Sequence, residues 1–84
     1  NENTYIGDQA AAVARIEASQ LDYTIIRPNE LLDDNVMQQL NIQTDRHEKI
    51  VGNPVTRTSV AEFITKLILN PTDYIKQSVA LSEK

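Results

Sequence analysis

The sequence predicts an α/β fold laid out as helix, strand, loop, helix, strand, with its two strands parallel. Three observations predict it. The run Leu21-Asp22-Tyr23-Thr24-Ile25-Ile26-Arg27-Pro28 is rich in β-formers with little polar alternation, which suits a strand covered on both faces. Val60, Phe63, Ile64, Leu67 and Ile68 repeat at helical spacing. Ser78-Val79-Ala80-Leu81 then reads as a second apolar strand, so strand, helix and strand make one βαβ unit with a right-handed crossover.

Asn3 to Ser19 reads as the first helix. Tyr5, Gln9, Ala12, Val13 and Ile16 make one face, and Ala10, Ala11, Ala14 and Ala18 raise propensity. Gly7 weakens the first turn, so Asp8 is an alternative start. Gln20 closes the helix before a strand at Asp22 to Ile26. Pro28 disfavours a helical Arg27 and has no N–H to donate, so it ends the ladder. Asn29 to Gly52 is the least regular stretch. Leu31, Leu32, Val36, Met37 and Leu40 fit a short helical piece, whereas Leu40 and Ile42 within Gln38 to Thr44 fit a short strand, and periodicity alone does not decide. Thr44 to Lys49 is polar throughout and reads as an exposed loop. Gly52-Asn53-Pro54 is a turn signal. Val55-Thr56-Arg57 is an extended bridge into the clearest helix, where Ser59-Val60-Ala61-Glu62 has the spacing of a capping box with Ser59 at the N-cap. Asn70-Pro71 ends that helix, and a Thr72-Asp73 turn leads to the last strand.

The 84 residues are ordinary in composition, 40% hydrophobic and 24% charged, which is one small domain or part of a larger one. A net charge of −4 with scattered basic residues argues against a nucleic-acid or anionic-membrane surface. Without cysteine there are no disulfides and no thiolate zinc sites, which fits a reducing cytoplasm. No apolar stretch is long enough to span a bilayer. Two parallel strands and two helices do not close a core, and each strand leaves an edge that invites pairing. The chain also lacks a starting methionine and reads as a piece of something longer, so the expected partner is the rest of its own sheet or a second copy.

Tyr5, Ala11-Ala12, Ile16, Ser19 and the run from Leu21 to Pro28 together resemble the atypical short-chain dehydrogenase/reductases, in their NAD(P)H-binding, NmrA-like and flavin-reductase-like branch. Val55-Thr56-Arg57-Thr58-Ser59-Val60-Ala61-Glu62-Phe63 resembles that family's entry into its late helix, and Asn70-Pro71 followed by Val79-Ala80-Leu81 its last strand. The likeness spans nearly the whole chain and corresponds to the C-terminal part of a doubly wound, Rossmann-like parallel sheet. It implies NAD or NADP in the complete protein and reduction of a small or flavin-like substrate, or sensing of the cofactor's redox state. The family's glycine-rich phosphate loop would lie upstream, since the two glycines here, Gly7 and Gly52, cannot make one. The residues present are thus expected to line the nicotinamide and substrate side of a cleft without being active alone. The alternative is a non-enzymatic module that dimerises through its open sheet.

The resemblance places the family's Tyr-x-x-x-Lys pair on Tyr5 and Gln9, and so implies Tyr5 as the catalytic candidate. The lysine is missing. Lysine lowers a neighbouring tyrosine's pKa and holds the ribose; glutamine offers only the second, and less strongly. Gln9, Pro28, Asn29, Glu30 and Leu31 are the implied cofactor-binding residues, with Pro28-Asn29 where the family often has Pro-Gly. No metal site is expected: Glu30, Asp33 and Asp34 carry oxygens that suit Mg²⁺, and Asp45, His47 and Glu48 offer mixed ligands, but nothing in either stretch fixes a geometry. No serine, histidine and aspartate set stands at an elbow, so a hydrolase triad is not supported.

With glutamine in place of lysine, Tyr5→Phe in the complete protein is expected to lower kcat by less than about tenfold, roughly 1.4 kcal/mol. Steady-state kinetics checks this, and a loss of about a thousandfold would make Tyr5 the essential acid.

Overall fold

The computed structural model describes residues 2–84, with side chains described from residue 9 onward. In chain order the elements are α1 (Glu2–Ala18), β1 (Thr24–Pro28), β2 (Leu31–Leu32), β3 (Leu40–Gln43), β4 (Val55–Thr56), α2 (Arg57–Leu69) and β5 (Gln77–Glu83). β5 is the central strand of a three-stranded sheet ordered β1-β5-β3. β1 lies parallel to it, from Thr24 opposite Gln77 to Pro28 opposite Leu81, and β3 lies antiparallel, from Leu40 opposite Glu83 to Gln43 opposite Ala80. β2 and β4 form a separate parallel pair.

The sequence of β5 accounts for its central place. Val79, Ala80, Leu81 and Ser82 are all buried, which requires a neighbour on each edge and cover on both faces. Val79 and Leu81 meet Phe63 of α2, and Ile26, Leu40, Val60, Leu67 and Tyr74 pack around them. Alternation turns Ala80 and Ser82 to the opposite face. There the segment from Thr44 to Pro54 crosses the sheet. Gln43 holds it like a strand: its side chain donates to Lys49 O at 3.1 Å and accepts from Val51 N at 2.8 Å. Val51 O in turn accepts from Asn41 Nδ2 at 2.8 Å and Ser82 Oγ at 2.7 Å. Asn53 then pairs with Glu83 through two backbone bonds of 3.0 Å, beyond the point where β1 ends.

Both helices are found where the sequence places them, and the last strand extends past Ser78–Leu81 at both ends. Three expectations are corrected and one open alternative is decided. The first strand runs to Pro28 instead of stopping at Ile26. Asn29 N donates to Leu81 O at 2.7 Å, so by alternation the missing N–H of Pro28 faces the outer edge of β1, which has no neighbour among the described residues. The stretch from Leu31 to Leu40 is not helical; the strand alternative at Gln38 to Thr44 is the one observed, as β3. Because β3 is antiparallel, the sheet is mixed, and the last strand, expected to offer an open edge, is paired on both sides. Finally, the cap of α2 lies three residues before the expected one: Thr56, extended at φ −75 and ψ 148, is the N-cap and accepts from Ser59 N at 3.1 Å.

Uncovered apolar surface lies on the β1 side. Thr24 to Arg27 are only half-buried. Ile64 and Ile68 remain exposed, on the flank of α2 turned away from Glu62 and Lys66. On α1, Ile16 stays 41% exposed, and Arg46 reaches across from the crossing segment to pair with Glu17.

Gly52 turns the crossing segment back towards β5 at φ +133, a conformation open mainly to glycine. A Cβ there would stand 2.7 Å from Glu83 O and 2.8 Å from Ser82 Cβ. Gly52→Ala is therefore expected to destabilise the fold by about 2 kcal/mol or more, read as a lower urea midpoint at unchanged m-value.

Candidate functional site

At the carboxyl end of β1 the sheet, the β2–β4 pair and the start of α2 meet. Asn29 makes the junction. Its side-chain amide donates to Gly52 O at 3.3 Å, and its Oδ1 accepts from Glu30 N at 2.9 Å. One residue on, Glu30 O accepts from Val55 N at 2.9 Å, which starts the parallel pairing of Leu31 with Val55 and Leu32 with Thr56. Pro28, Asn29, Glu30 and Leu31 are thus contiguous at a strand end, the position where open α/β sheets bind ligands. Asn29 is half-buried, and the other three are exposed.

Arg27, next to this group, is turned away from it. Its Nε donates to Ser78 Oγ at 2.8 Å and its Nη2 to Ser78 O at 3.3 Å, so it ties β1 to β5. Gln9 is exposed on α1, a different element. The side chain of Tyr5 lies outside the described residues.

The first turn of α2 grips the segment that follows β2. Arg57 Nε bonds Asp33 Oδ1 at 2.5 Å, Thr58 Oγ1 donates to Asp34 O at 3.3 Å, and Thr56 Oγ1 donates to Val36 O at 2.8 Å. Ser59 Oγ, 2.8 Å from the Thr56 hydroxyl, accepts from Gln38 N at 2.9 Å. Gln38 answers with its own side chain: Oε1 accepts from Thr56 N at 2.9 Å and Nε2 donates to Pro54 O at 3.4 Å. Four consecutive residues of α2 and its cap therefore hold positions 33, 34, 36 and 38. Thr56 and Ser59 are nearly sealed from solvent, and every described buried side-chain N or O atom has a partner. The grip leaves Leu31, Leu32, Val36 and Met37 facing out, between 38% and 55% exposed.

This arrangement offers an apolar wall and a row of backbone groups at a strand end, bordered by Glu30, Asp33 and Asp34. That suits the flat, weakly polar nicotinamide end of a dinucleotide. It does not suit a pyrophosphate, which needs a glycine-rich turn into a helix N-terminus. Among the described residues no three metal-ligating side chains converge. Asp33 is engaged by Arg57, Asp34 Oδ1 accepts from Val36 N, and Asp45 Oδ1 accepts from His47 N. No described helix is long and apolar enough to cross a membrane. The sequence reading missed Gln38, Thr56 and Ser59 as a unit. Their visible signal was a threonine three residues before a serine at the end of an extended pair.

With a parallel strand ending in such a junction, and helices on an α/β sheet, the chain has a Rossmann-type fold. It belongs to the NAD(P)H-binding family, whose sequence profile matches residues 1–71. Among solved structures it is similar to a Rossmann-fold NAD(P)-binding family protein from Shigella flexneri, at 36% identity and a TM-score of 0.79 over 86% of this chain and 36% of that one. The chain thus spans 36% of the length of that relative. No curated protein matches.

Thr56→Val is expected to cost about 2 kcal/mol, because it removes the cap of α2 and the bond that the buried Thr56 hydroxyl makes to Val36 O, while Thr56→Ser costs little. Denaturant titration of both variants checks the contrast.

Proposed function

We propose that this chain is the C-terminal portion of an NAD(P)H-dependent oxidoreductase or cofactor-sensing protein, and that it supplies the nicotinamide and substrate side of the cleft. The observation that carries the reading is the anchored junction at Asn29. It fixes the backbone of Glu30, Leu31 and Leu32 at the carboxyl end of a parallel strand, in a chain of the NAD(P)H-binding family. When bound, a nicotinamide supplies the hydride; the protein positions it and excludes water. Pro28 and Leu31 would form the wall against the ring, and the exposed Leu31, Leu32 and Val36 would keep the substrate side apolar. Asn29 acts by holding the junction, since both ends of its amide are already used.

In this reading Gln9 and Tyr5 also serve the site, and element lengths support it. A helix rises about 1.5 Å per residue and a strand about 3.3 Å. A helix that returned antiparallel to β1 would bring Gln9 level with Asn29, and Tyr5 one turn beyond. Gln9 would hold the ribose and Tyr5 the reacting carbonyl or flavin edge. The upstream part of the domain would carry the pyrophosphate site and pair the outer edge of β1. The half-buried β1, the exposed flank of Ile64 and Ile68, and the match to only 36% of a solved relative all support this.

The 84 residues alone are expected to bind NADPH no better than millimolar, and the complete protein in the micromolar range. Titration calorimetry on both checks this. Micromolar binding by the 84 residues, or none by the complete protein, overturns the reading.

A further inference from the structure

We infer that the substrate side of the site takes an uncharged substrate and turns away one that carries a phosphate, and that Glu30 and Asp34 set this choice. The inference rests on the proposed function for where the substrate lies. The charge pattern belongs to the segment itself. From Pro28 to Gln38 the chain carries three carboxylates, Glu30, Asp33 and Asp34, and no lysine, arginine or histidine. These charges interleave with Leu31, Leu32 and Val36, all of them exposed.

The ion pairs decide which carboxylates stay uncompensated. Arg57 neutralises Asp33. Glu30 and Asp34 are exposed and have no ion-pair partner among the described residues. Both are held by their backbones. Glu30 N donates to Asn29 Oδ1 and Glu30 O accepts from Val55 N, each at 2.9 Å. Asp34 O accepts from Thr58 Oγ1 at 3.3 Å, and its Oδ1 accepts from Val36 N at 3.2 Å. Arg27, just upstream, points back to Ser78. A helix amino end would ordinarily welcome an anion, but that of α2 is already in use. Thr56 Oγ1 accepts from Ser59 N, and Arg57 and Thr58 hold Asp33 and Asp34 against the first turn.

Two uncompensated carboxylates on an apolar rim act differently on the two classes of substrate. An uncharged substrate gains the contact with Leu31, Leu32 and Val36 and meets no charge of its own sign. A phosphate-bearing one gains the same contact but meets two like charges. The apolar side chains between those charges offer no donor to offset the repulsion. Because both carboxylates face water, the discrimination is modest and weakens with salt.

The test is equilibrium dialysis of riboflavin and of FMN against the complete protein saturated with NADP⁺, so that nothing turns over. The two flavins share one ring system and differ by a phosphate. Riboflavin is expected to bind at least about fivefold more tightly at low salt, with the gap narrowing at high salt. Glu30→Gln with Asp34→Asn, which retains an acceptor for Val36 N, should close the gap to about twofold or less. Arg57→Gln, which leaves Asp33 without its cation, should widen it. Equal affinity for the two flavins, binding of neither, or a gap that the double variant leaves in place overturns the inference. NADPH binding, measured separately by calorimetry, judges the proposed function. Its absence overturns that reading and the inference with it; its presence beside any of those three results overturns the inference alone.

Discussion

Everything else in this structure depends on the burial of β5. Its segment Val79-Ala80-Leu81-Ser82 has no exposed side, so both edges and both faces must be covered. Each requirement recruits a different part of the chain. β1 and β3 take the edges, Phe63 and its neighbours on α2 take one face, and the crossing segment takes the other. Fully burying an aliphatic side chain stabilises by about 1.5–3 kcal/mol, so Val79 and Leu81 favour this arrangement over one with β5 at an edge.

The candidate site follows from that arrangement. Because β1 is parallel to β5, the chain leaves β1 at the same end where β5 finishes. It must then turn within a few residues, and Asn29 makes the turn with its own amide. The first turn of α2 holds the departing segment, using helix-terminal hydroxyls that would otherwise face water. One set of bonds thus caps a helix and shapes the lip of the site. Two glutamines repeat a single device: Gln38 against β4 and Gln43 against the crossing segment each present one donor and one acceptor, as a neighbouring strand would.

The uncovered surfaces divide into two kinds. On the β1 side they are broad and apolar, with Ile64 and Ile68 exposed and a strand edge that has no neighbour among the described residues. On the β3 side they are narrow, with charges at their ends. In the proposed function the first kind faces the rest of an NAD(P)-binding domain.

The sequence alone determined the two helices, the two main strands and the α/β class, because each is written in a local period or in a breaker such as Pro28 or Asn70-Pro71. It also determined that Pro28 to Leu31 stand together, since contiguity at a strand end needs no long-range information. Only the tertiary structure decided the direction and place of β3, because Leu40 and Ile42 fit two periods and their choice depends on an edge of β5 nearly forty residues away. The same holds for the true cap of α2. Ser59 has a perfect local signature, but Thr56 wins because it alone also satisfies Val36 and Ser59 in a site that excludes water. Local patterns fix what a segment prefers to be; which preference survives is fixed by where its polar groups find partners once the chain has closed.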